Sequence, residues 1–155
     1  MGRWVGMVVS GSSVVLVDAE IPDRDEPIVI QNDQTLKLQT GLRERAYATM
    51  HQLCVNYLRE NEIDRVVVMA SAVNRAGGGV AHLESAELRG IVTAAAASVC
   101  PTEQLKKASI SKSFGERKSD EYLDDAAFWD ESVDGVVRVG SRMAALLLLA
   151  ARKAE

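Results

Sequence analysis

The chain has 155 residues, 47% of them hydrophobic and 26% charged, with a formal net charge of −4. That length supports one domain with a self-sufficient core, so residues 1–155 are read as a single unit. The composition excludes a disordered chain, and it excludes a protein that coats nucleic acid through bulk positive potential; only a local basic patch is left for that role. The longest apolar run, Met143 to Ala151, is far short of the ~20 residues that span a bilayer, and no signal-peptide pattern follows Met1. Cys54 and Cys100 stand apart from any metal-ligand partners, as small buried side chains in a reducing compartment do. A cytoplasmic protein without membrane contact is expected.

In chain order, Trp4–Val9 and Val14–Ile21 are rich in β-branched residues and flank Ser10-Gly11-Ser12-Ser13, which predicts a hairpin with a glycine-containing turn. Pro22 to Pro27 is a charged turn, and Ile28-Val29-Ile30 begins a third strand. Leu42, Ala46, Met50, Leu53, Cys54, Tyr57 and Leu58 then recur at helical spacing, with Arg43, Glu44, Arg59 and Glu60 on the other face. Val66-Val67-Val68-Met69-Ala70 is a continuous apolar run, the pattern of a strand buried on both faces. A glycine-rich loop from Ser71 to Gly79 leads into a second, alanine-rich helix over His82–Val99. A short fifth strand over Val99–Gln104, a polar helical stretch and a final helix over about Gly140–Lys153 complete the chain. The order predicts an α/β fold of the ribonuclease H-like type. Three antiparallel strands and then parallel ones form a mixed five-stranded sheet with helices on both faces.

Val8-Val9-Ser10-Gly11-Ser12, Val67 to Ser71 and Ala86-Glu87-Leu88-Arg89-Gly90-Ile91-Val92-Thr93-Ala94-Ala95 carry a more specific likeness. Together with Lys112, Gly115, Arg117 and Lys118 and with Ala144 to Leu147, they resemble, in the right order, the RuvC-type Holliday-junction resolvases. That resemblance implies a nuclease holding two divalent metals about 4 Å apart by carboxylates on strand one, at the end of strand four and in the last helix. Aligning Ser10-Gly11-Ser12 on the family's turn puts Val9 at the first of these positions. Ala70 and Ser71 fall at the second and Ser141 to Ala144 at the third. None is an anionic ligand. No catalytic residue, metal or cofactor is therefore assigned, and a catalytically degenerate domain that acts by binding is expected, as an accessory or scaffold subunit, homo-oligomeric in one form of the reading.

The alternatives have their own residues. Glu84, Asp120 or Asp124 are candidates for relocated metal ligands, although Asp120, Glu121, Asp124 and Asp125 form the pattern of a solvated helix face. Glu84 and Glu87, one turn apart, are expected to bracket a surface or to satisfy Arg89. Gly77-Gly78-Gly79 lacks the residues of a phosphate-binding fingerprint, and His51 and His82 have no partners at ligand spacing. Arg75, Lys106, Lys107, Lys112, Arg117 and Lys118 are the candidate nucleic-acid contacts. The acidic segment Asp120 to Asp134 is the candidate for a protein partner, through Asp124, Asp125, Tyr122 and Trp129; the last two are equally suited to packing, the role expected of Phe114 and Phe128. If that segment acts alone, the chain is a protein-interaction module with no nucleic-acid contact.

Overall fold

In the computed structural model, which describes residues 2–23, 25–72, 78–115 and 117–155, one mixed sheet runs in the order β5-β4-β1-β2-β3-β6. Its strands are β1 (Gly2–Ser10), β2 (Ser13–Ile21), β3 (Ile28–Lys37), β4 (Arg65–Met69), β5 (Thr102–Leu105) and β6 (Val133–Asp134). β1, β2 and β3 pair antiparallel; β4 pairs parallel with β1, and β5 parallel with β4. The expected order of antiparallel and then parallel strands is present. The sheet has six strands rather than five, because the two-residue β6 pairs parallel with the start of β3.

The helices are α1 (Arg43–Glu60), α2 (Val80–Ala97), α3 (Lys107–Ser113), α4 (Ser119–Leu123), α5 (Ala126–Ser132) and α6 (Arg142–Lys153). The hairpin turns on Gly11 and Ser12, with positive φ at Gly11, the residue a tight two-residue loop needs there. Strand five begins later than the sequence pattern suggests. The Val99 and Cys100 amides both bond the Ala96 carbonyl and so close α2, and Pro101, which has no N–H, separates that turn from the strand. The polar helical stretch is three short helices. The last helix starts two residues late, after a 3₁₀ turn over Val139–Ser141.

Two apolar layers flank the sheet. Val5, Met7 and Val9 face α1 and α2, while Trp4 and Val8 face α6, the alternation a strand imposes. Val66, Val67 and Val68 are fully buried, as expected of a central parallel strand. Every residue of α6 from Ala144 to Ala151 is buried. The sheet covers part of the helix, and Ile110, Tyr122 and Trp129 from α3–α5 belong to the same core and cover what the sheet leaves open. Among the described residues, no helix is long and apolar enough to cross a membrane.

Candidate nucleic-acid interface

Because β1, β4 and β5 are parallel, their C-terminal ends gather at one edge of the sheet, beside the start of α6; open α/β sheets place ligands at such strand ends. For carboxylates from strand one, strand four and the last helix to meet a common metal pair, all must face α6. The β1 residue on that face is Val8. Val9, the residue aligned with the first ligand position, lies against α1 and α2, on the opposite face of the strand. On the α6 side the edge carries Val8 from β1, Met69 from β4 and Met143 from α6. No group of three or more His, Cys, Asp or Glu side chains able to hold a metal occurs among the described residues.

On the α2 side the edge is polar. Ser85 Oγ accepts from the Gly11 amide (3.0 Å) and staples the hairpin to α2. One turn on, Arg89 Nη1 donates to Ser71 Oγ (2.5 Å) beyond the end of β4, and Nη2 donates to the Val9 carbonyl (3.3 Å) near the end of β1. Glu84 and Glu87 do not satisfy Arg89. Glu84 pairs with Arg43 of α1 (3.1 Å), and Glu87 accepts from the Tyr47 hydroxyl (3.2 Å), which itself accepts from Arg43. Spacing put these acids on one helical face; that the face meets α1 is a tertiary fact which spacing does not contain.

The basic and acidic blocks clasp each other. Lys107 pairs with Asp120 (2.9 Å) and Arg117 with Asp125 (2.9 Å), which also caps α5 by accepting from the Phe128 amide. Arg117 donates to the Glu121 carbonyl and lies over the Tyr122 ring, 4.4 Å from its centroid. Lys107, Arg117 and Asp125 are thus engaged within the domain. Lys106, Lys112 and Lys118 are exposed and their ammonium groups make no ion pair among the described residues, and Asp124 is exposed. Lys106 directly follows β5, beside the end of β4, where the Ala70 amide bonds the Leu105 carbonyl. Arg75 lies outside the described residues.

Tyr122 and Trp129 are core residues, only 6% and 5% exposed. Trp129 Nε1 donates to the Tyr122 carbonyl (2.8 Å) and the Tyr122 hydroxyl to the Phe114 carbonyl (2.8 Å), so their polar atoms are already spent. As partner anchors they are corrected to packing residues. Phe114 and Phe128, expected to pack, are the partly buried members, in tilted and edge-to-face contact with the others at centroid distances of 5.0–5.8 Å. The long apolar run of α6 needs cover on all sides, and these aromatics provide it.

One partly buried acid carries no signal in the sequence pattern. Asp33 of β3 accepts from Ser141 Oγ (2.5 Å) and from the Arg138 backbone and guanidinium, fixing the turn into α6. Burial disfavours its charge, but the bonds from Arg138 and Ser141 outweigh that and hold the carboxyl below its ordinary range. A depressed folded pKa contributes stability above the unfolded value, near 3.9, that is lost as pH falls through the folded one. Asp33→Asn is therefore expected to lower the thermal midpoint at neutral pH and to flatten the fall in stability below about pH 4. Thermal unfolding across the acid range measures it; parallel curves for the two proteins would count against the assignment.

No family model and no curated protein sequence matches the chain. Solved structures do. Thermus thermophilus RuvC superposes with a TM-score of 0.74 at 12% identity, covering 98% of this chain and 95% of that one. The T. thermophilus RuvC in complex with a Holliday junction substrate gives 0.73 at 11% identity, covering 99% and 95%. The yeast mitochondrial Holliday junction resolvase Ydc2 gives 0.63 at 11% identity, covering 98% and 79%. Over nearly its whole length, this chain has the ribonuclease H-like fold in its RuvC form.

Proposed function

We propose that the protein is a RuvC-fold domain that binds branched nucleic acid without cutting it, as an accessory or scaffold subunit of a nucleic-acid-processing assembly. The observation that carries this reading is the edge formed by Val8, Met69 and Met143. Two metals clamp the attacking and leaving oxygens only where hard anionic ligands hold them, and these three side chains offer none. The nucleic-acid part draws on the likeness to a fold seen with a Holliday junction bound, and on the exposed Lys106, Lys112 and Lys118, whose ammonium groups have no ion pair among the described residues.

The test measures binding and cleavage of a labelled four-way junction, with plain duplex for comparison. Binding in EDTA that weakens steeply with salt is expected, with no cleavage in magnesium or manganese. Metal-dependent cleavage abolished by changing one acid, such as Glu84, Asp120 or Asp124, would overturn the reading. Exposed apolar side chains support self-association as a further part of this reading. Leu42, Val80 and Leu83 are 60%, 69% and 63% exposed near the starts of α1 and α2, which the Arg43–Glu84 pair holds together.

A further inference from the structure

Arg89 is a cation with no counter-ion among the described residues, set where two parallel strands end. Its two bonds go to neutral acceptors, the Ser71 hydroxyl and the Val9 carbonyl, and its enclosed Nε has no acceptor among the described residues. Arg3, Arg43, Arg65, Arg117 and Arg138 each meet a carboxylate; Arg89, like Arg142 and Arg152, meets only neutral acceptors among the described residues, and of the three it is the one at the ends of β1 and β4. The acids nearest to it along α2, Glu84 and Glu87, are tied to α1. Burial draws its pKa down, and no opposing charge restores it. A half-buried charge left in this state is costly unless something anionic completes it.

What surrounds the guanidinium suits a phosphate. Arginine carries five N–H donors in a planar fork, and of those on Nη1 and Nη2 only two are used. The Ser71 hydroxyl, exposed and already accepting from Arg89, is free to donate outward. The hairpin turn beside it is pinned by Ser85, and Lys106 stands at the end of the neighbouring strand. We infer that Arg89 and Ser71 form a metal-independent phosphate site at the ends of β1 and β4, which takes one backbone phosphodiester of the bound nucleic acid. This rests on the nucleic-acid-binding reading given above.

Arg89→Gln and Arg89→Lys, compared with wild type in EDTA, test it. The readouts are affinity for the labelled junction over a salt series and the thermal midpoint with inorganic phosphate or a nucleoside monophosphate. Arg89→Gln is expected to weaken junction binding roughly tenfold, the size of one charge-assisted contact, and to reduce the salt slope by about one. Arg89→Lys keeps the charge and loses the fork, so it recovers the slope but not the full affinity. A purely structural Arg89 predicts the opposite pattern: a lower thermal midpoint with junction affinity and salt slope unchanged. That result overturns the site and leaves the proposed function standing. Should wild type bind no junction, the proposed function falls. A rise in thermal midpoint with phosphate or nucleotide, lost in Arg89→Gln, would then keep the phosphate site with a free monoester as its ligand. No rise would end both.

Discussion

Gly6→Ala is expected to cost this protein a large part of its stability. A Cβ at Gly6 would lie 2.1 Å from the Ala144 carbonyl oxygen and 3.0 Å from its carbon, closer than non-bonded atoms approach. The obstacle is backbone, so no rotamer change relieves it. β1 cannot retreat either, since Gly6 pairs with Val17 on one side and Val67 on the other. The remaining route is to lift α6 from the sheet, which disturbs eight consecutive buried residues and the aromatic layer behind them. Overpacking a core costs about 1–3 kcal/mol and occasionally more; with backbone as the opposing surface, a loss of about 3 kcal/mol or more is expected. Total stability for domains of this kind is ~5–15 kcal/mol, so the urea midpoint should fall visibly. Gly90 is the control. It lies inside α2, and a Cβ added there would meet nothing within 4 Å, so Gly90→Ala should raise stability by roughly 0.5–1 kcal/mol. Equal midpoints for Gly6→Ala and wild type would mean that α6 does not rest on β1 as described.

That close approach bears on what the sequence makes legible. The period-two strands, the all-apolar run Val66–Val68 and the helical spacing from Ala46 to Leu58 are local patterns, and each lies close to where it is expected. Pairings between distant segments are not local. The acid block after residue 119 looks like a docking surface because its cations lie earlier in the chain; Lys107–Asp120 and Arg117–Asp125 form only when α3, α4 and α5 fold over α6. Tyr122 and Trp129 are misjudged for the same reason, although a signal is present: a helix with eight successive apolar residues has no solvent face, so some other segment must cover it. At the candidate site, the apolar residue types are legible in the sequence, but the strand face is not. Which of Val8 and Val9 faces α6 is set by the pleat, and no residue type announces it. Arg89 and Asp33 escape because their partners lie far away in sequence: Val9 and Ser71 for the first, Arg138 and Ser141 for the second. Each lies inside its own element and reaches the end of another, so its own periodicity does not announce the partner.

Asp18→Asn is the second change expected to be severe. Asp18 of β2 is fully buried and accepts from Arg3 Nε (2.9 Å), Arg3 Nη2 (2.8 Å) and the Tyr57 hydroxyl (2.5 Å), while Asn32 donates to that same hydroxyl (3.1 Å). An asparagine turns an N–H₂ group toward donors that need an acceptor and leaves the Arg3 charge without its partner. Breaking a buried pair from one side costs about 3–5 kcal/mol; the Arg3 side chain is 30% exposed, so water recovers part of this and a loss of about 3 kcal/mol is expected. Tyr57 gives an independent readout. Burial first, and then its bond to Asp18, push the phenol up to about 12. A raised folded pKa gives stability that is present below the unfolded value, near 10, and lost as pH rises through the folded one. Wild type should therefore weaken across that alkaline window, and Asp18→Asn should weaken less, with the phenol titrating earlier by ultraviolet absorbance. Replacing the cluster together, as Arg3→Met, Asp18→Leu and Tyr57→Phe, removes donors and acceptor at once and should cost less than the single change. A triple variant weaker than Asp18→Asn would show instead that the cluster itself is worth its desolvation. The position of the cluster argues for a specifying role. Asp18 shares the α1 face of β2 with Val14 and Leu16, and its carboxylate ties β1 through Arg3 and α1 through Tyr57 to one position on that strand.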